Sequence, residues 1–109
     1  MKVFYKSKQG KFDAKGEATE DKFILFKGSR VSEELGETAG KLVTNLRKKD
    51  GVLDSKNVVK KDLELSSSSI AAQFVCGHST NGLRAWKTEN GKQLGDSLKG
   101  KGRREKKNG

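Results

Sequence analysis

The chain has 109 residues, 31% hydrophobic and 35% charged, with 24 Lys and Arg against 14 Asp and Glu for a net charge of +10. That length suits one domain with a small core, and no apolar run approaches the roughly 20 residues that a membrane-spanning helix needs. The single cysteine excludes an internal disulfide, and with no secretory signal read at the start it points to a reducing cytosol.

Val3-Phe4-Tyr5 reads as a short strand and Gln9-Gly10 as a turn. Phe12 and Ala14 open a second strand, and Ala18 to Asp21 leads into another turn. Phe23-Ile24-Leu25-Phe26 is the most hydrophobic run and reads as a central strand, so three strands close in sequence predict an antiparallel meander. Gly28 marks a bulge or bend, and Ser32 to Gly36 is polar loop. A helical pattern follows from Thr38 to Lys49. Leu42 and Leu46 lie four apart with Val43 beside them, and Thr38 is the expected N-cap. Arg47-Lys48-Lys49 sits at the C-terminal end of this helix, where cations suit the macrodipole, and Asp50-Gly51 closes it.

Val52, Leu53, Val58, Val59, Leu63 and Leu65 form a sparse apolar set, read as an extended segment or short strand. Ser68 to Cys76 reads as a second helix. Ile70, Ala71, Phe74 and Val75 recur at helical spacing, one serine of Ser66 to Ser69 caps it with Ser67 favoured, and Gly77 closes it. Asn81-Gly82 is a turn signal, Leu83 to Lys87 a predicted strand, Asn90-Gly91 a second turn, and Leu94 the last packed residue. From Lys99 onward six cations stand against Glu105, which puts +5 into residues 99–109 with no apolar residue, so disorder is expected there. The predicted architecture is an α+β domain over residues 1–98: a small antiparallel sheet, two short helices on one side, and a basic tail over 99–109.

The candidate chemistry is that of binding. The serines have no base in reach, since His78 is the only histidine and lies beyond the helix. They are read as helix caps or, with the free N–H groups there, as phosphate contacts. Cys76 and His78 are two ligands where a closed zinc site needs four, so no metal and no cofactor are expected. Asn81 reads either as a turn residue or as a reader of adenine. Trp86 reads either as core or as a stacking platform for a base. If Leu83 to Lys87 is a strand, Arg84 shares the face of Trp86 and Lys87 takes the other. Lys27, Arg30, Arg47, Lys48 and Lys49 are solvated charges or sequence-independent phosphate contacts. The tail is the strongest electrostatic candidate through Lys101, Arg103 and Arg104, or else a solubilising appendage.

Ser66, Ser67, Ser69, Ala71, Ala72, Gly77, Asn81, Gly82, Trp86 and Lys87, together with Lys27-Gly28-Ser29 after a hydrophobic strand, form a constellation over roughly Phe4 to Leu98. It resembles a small domain of unknown function appended to GIY-YIG nucleases and restriction-system proteins, related to restriction-enzyme-and-adenine-methylase-associated domains. Ser68 departs from that family's pattern, which usually has proline there, and this predicts a looser helix start. The resemblance implies a restriction, defence or mobile-element setting and adds Ser29, Ser67 and Ser69 to the candidate contacts. The expected function is a non-catalytic DNA-binding accessory module, cytoplasmic and without a membrane partner. The alternative is a protein-interaction module that binds or regulates a separate nuclease, methylase or restriction subunit.

Overall fold

The structure, a computed structural model, describes residues 1–19 and 21–97. The disorder expected of residues 99–109 therefore lies outside the described residues, as do Lys101, Arg103 and Arg104. Four strands, β1 (Lys2–Lys6), β2 (Asp13–Ala18), β3 (Phe23–Leu25) and β4 (Leu63–Leu65), form one antiparallel sheet in chain order. The register runs Val3 opposite Gly16, Gly16 opposite Leu25, and Leu25 opposite Leu63. The helices are α1 (Lys41–Lys48), α2 (Ser68–Cys76) and α3 (Gly82–Ala85), and residues 94–97 are also helical. The α+β class and the meander agree with the sequence.

Strand period sorts the side chains into two faces. Val3, Ala14, Phe23, Leu25, Leu63 and Leu65 are buried on one, while Lys2, Lys6, Lys15 and Glu64 are exposed on the other. Helix α2 covers the buried face against β3 and β4, and α1 and α3 pack on α2. Five of its nine residues, Ala71, Ala72, Phe74, Val75 and Cys76, are buried, as a central helix requires. Trp86 joins this core, with its ring centroid 4.5 Å from that of Phe23 and 5.6 Å from that of Tyr5.

The bulge expected near Gly28 is present. Between Leu25 and Arg30 the chain is longer than the facing stretch of β2 from Gly16 to Asp13. Ser29 fills the gap. Its hydroxyl accepts from the Lys15 N–H at 3.0 Å and donates to the Lys15 carbonyl at 3.1 Å.

Three local expectations are corrected. Thr38 does not cap α1: Gly40 stands at the N-cap without a side-chain bond, and the Thr38 hydroxyl accepts from the Ser79 N–H at 3.0 Å. Leu42 is not on the packed face but 59% exposed. Ala39, Val43, Leu46 and Arg47 face inward instead, a stripe at the same helical period rotated by one position. The Asn81-Gly82 pair is a helix start rather than a hairpin turn, and Leu83 to Ala85 is helical rather than strand. The Asn81 side chain accepts from the Leu83 N–H at 2.9 Å, so the capping ability of asparagine prevails over its turn preference.

Candidate nucleic-acid interface

The serine-to-tryptophan segment is a knot of internal bonds. The Ser67 hydroxyl accepts from the Ile70 N–H at 3.2 Å and caps α2, and Gly77 ends the helix in the left-handed region at φ 85°. The Ser68 carbonyl accepts from the Trp86 indole at 3.0 Å, and the Ser69 hydroxyl accepts from the Gly82 N–H at 3.0 Å. A Cβ on Gly82 would collide with the Ser68 backbone, so only glycine lets α3 sit on the start of α2. These serines therefore anchor α3 and Trp86 as well as capping a helix. Trp86 is fully buried and presents no face on which a base could stack. Cys76 is buried and His78 exposed, and among the described residues no three His, Cys, Asp or Glu side chains gather as a metal site would require.

Several cations of the sequence reading are also internal. The Arg47 guanidinium donates to the carbonyls of Phe74 at 2.8 and 3.0 Å, of Val75 at 3.3 Å and of Glu34 at 3.1 Å. It closes the C-terminal carbonyls of α2, and burial lowers its pKa from the ordinary value. Arg30 clips the β1–β2 loop by donating to the Gly10 carbonyl at 2.7 Å and the Lys11 carbonyl at 3.2 Å. Ser29 is buried in its bulge. Lys48 and Lys49 stand exposed at the end of α1, in the helical layer.

What remains gathers on the uncovered face of the sheet and around its β1 edge. Phe4 exchanges two backbone hydrogen bonds with Lys87, 2.7 and 2.9 Å long. On its other side Phe4 opposes Lys15, and Lys15 accepts at its carbonyl from the Phe26 N–H at 2.9 Å. Directly opposed residues share a face, so one row across the sheet reads Lys87, Phe4, Lys15, Phe26. Because Phe4 turns its hydrogen-bonding groups toward Lys87, its pairing with Lys15 is the non-hydrogen-bonded kind, in which side chains lie closest. Both rings are half-buried on this face and stand apart from the core cluster.

Two concavities flank Phe4. Lys2, Lys15, Lys27, Phe26 and Glu89 line one of about 370 Å³, and Lys6, Lys8, Arg84 and Lys87 line the other, of about 380 Å³. Both fall at the small end of the roughly 300–1,000 Å³ typical of ligand sites. Of these seven cations only Lys6 pairs with a carboxylate among the described residues, with Asp13 at 4.0 Å. The open face thus holds Lys27 and Lys87 of the sequence reading, with Arg84 of α3 at its β1 edge, and it brings in Lys2, Lys15, Phe4 and Phe26, which that reading missed. The signal was present in the strand period: Lys2, Phe4 and Lys6 alternate with Val3 and Tyr5.

A family model described as a domain of unknown function, DUF4357, matches residues 3–98. The chain belongs to this family. No curated protein and no solved structure matches the chain. The DUF4357 match covers the knot of serines, Gly82 and Trp86 as well as the sheet. The residues that carried the resemblance are thus largely those that build the scaffold, with Lys27 and Lys87 the two that reach the open face. Among the described residues no helix is long and apolar enough to cross a membrane.

Proposed function

We propose that this DUF4357 domain is a DNA-binding accessory module that acts without catalysis of its own. The observation that carries the reading is the row Lys87, Phe4, Lys15, Phe26, set within a stripe of seven cations. Cations that mostly lack a carboxylate partner among the described residues suit a polyanion, because each phosphate contact releases condensed counterions. Aromatic rings between them suit bases. The hydroxyls of Ser67 and Ser69 are engaged in structural bonds. The resemblance to domains appended to GIY-YIG nucleases and restriction-system proteins supports a restriction, defence or mobile-element setting, beside a separate nuclease or methylase subunit.

The test is a binding titration against DNA at two salt concentrations. Replacing Lys2, Lys15, Lys27 and Lys87 by Gln should weaken binding and flatten its salt dependence. Unchanged binding by a folded variant would overturn this face as the interface. The second reading is a protein partner, such as a nuclease or restriction subunit. Ile24 favours it, since this half-buried residue extends the apolar patch toward Glu17 and Glu64, beyond the cations.

A further inference from the structure

Phe4 and Phe26 point to a particular form of the ligand. Aromatic side chains in small domains are ordinarily drawn into the core by the area they bury. In this chain Tyr5, Phe12, Phe23, Phe74 and Trp86 follow that rule, and Phe4 and Phe26 do not. They sit in one row with Lys15 between them and Lys87 beyond Phe4, on the face that no helix covers. Two strand spacings separate Phe4 from Phe26, roughly 9–10 Å.

Stacked neighbours along a nucleic-acid strand are about 3.4 Å apart. A stacked strand therefore cannot place consecutive bases on both rings, and a duplex keeps its base faces enclosed. Bases splayed out of a single strand fit the row, one on each ring. Lys15 then lies where the intervening phosphates pass, Lys87 and Lys2 lie beside Phe4, and Lys27 follows Phe26.

We propose that the open sheet face binds single-stranded DNA, with one base stacked on Phe4, another on Phe26, and the backbone tracked by Lys87, Lys15, Lys2 and Lys27. This inference rests on the DNA-binding reading and deepens it by naming the strand form. Flat rings without hydrogen-bonding groups predict binding that tolerates any base sequence.

The experiment uses the full chain and fluorescence anisotropy of labelled DNA. The probes are a mixed-sequence single strand of about ten nucleotides, the matching duplex, and an abasic strand of the same length. The parent protein should prefer the single strand to both other probes. Phe4→Ala and Phe26→Ala should each weaken single-strand binding by roughly 5- to 150-fold, the range of one lost stacking contact. They should leave abasic-strand binding unchanged. Phe4→Trp should retain or strengthen single-strand binding, which shows that a ring rather than phenylalanine itself is required. Thermal melts check that each variant folds.

Equal affinity for the abasic strand, a preference for the duplex, or unaltered affinity in folded Phe4→Ala and Phe26→Ala would overturn the stacking proposal. If the fourfold Lys→Gln variant still loses affinity in that case, the DNA-binding reading stands alone. No binding of any probe at low salt would overturn both.

Discussion

Arg47 shows how far a residue's environment can redirect its chemistry. In sequence it is one of three consecutive cations at a helix end. In the fold its planar donors reach three carbonyls on two segments, and its charge lies 5.8 Å from the centre of the Phe74 ring. Arg47→Ala leaves those carbonyls without their donor and should cost about 3 kcal/mol, the scale of losing hydrogen bonds to a charged group. Arg47→Lys should recover little, because an ammonium cannot reproduce the fork. Urea denaturation measures both, and a loss below about 1 kcal/mol would contradict the assigned role. Tyr5 offers a second residue-scale test. Burial, and then the neighbouring Cys76 sulfur, push its pKa from 10.0 up to about 12. The folded state holds the phenolic proton more tightly than the unfolded state. The associated stability is therefore complete below pH 10 and is lost as pH rises toward 12. The chain has a single tyrosine, so tyrosinate absorbance reports it alone. Its midpoint should lie near 12 in the folded protein and near 10 in denaturant, and a midpoint near 10 in both would remove the buried setting.

At the scale of elements, the junction of α2 and α3 decides whether the core closes. Ser67→Ala removes one cap and should cost about 1 kcal/mol. Gly82→Ala forces a methyl into the Ser68 backbone and should cost more, about 2–3 kcal/mol by the measure of overpacked sites. A simple turn glycine with no close neighbour would give the reverse order, so the two denaturation midpoints separate the readings. Phe74→Ala should cost roughly 3–5 kcal/mol, since Phe74 is fully buried under Arg47. The bounds of α2 were legible because cap, apolar period and closing glycine agree within eleven consecutive positions, Ser67 to Gly77. Helix α3 was not legible. Asn81-Gly82 carries both a turn and a cap signal, and only the tertiary approach to Ser68 selects between them. The face of α1 was misread for a related reason: Leu42 and Leu46 match the helical period, but the packing of Ala39 and Arg47 sets the rotation. Trp86 was assignable to the core on general grounds, whereas the bond from its indole to the Ser68 carbonyl spans 18 positions and has no local trace. The open face was half legible. Strand alternation puts Lys2, Phe4 and Lys6 together, while the pairing of Phe4 with Lys87 joins distant ends of the chain.

At the scale of the whole molecule, charge is divided between two places. Half of the +10 lies in residues 99–109 and half in the rest of the chain, where cations gather around Phe4 on the open face and the β1 edge. If both meet DNA, their contributions differ in kind. The terminal cations contribute through counterion release alone, while the stripe adds stacking, which salt scarcely alters. Suppose about four of the six terminal cations meet phosphates. Deleting residues 99–109 should then flatten the log-affinity against log-salt slope by about 3 on a single strand, at roughly 0.7 per phosphate. The factor lost on Phe4→Ala should be the same in the full and shortened chains, because independent contributions add in free energy. Base-sequence tolerance should also survive the deletion, since phosphate contacts position without specifying. An equal salt slope with and without residues 99–109 would confine binding to the stripe. A Phe4→Ala effect that vanishes in the shortened chain would mean instead that the terminal cations are what hold the strand against the ring.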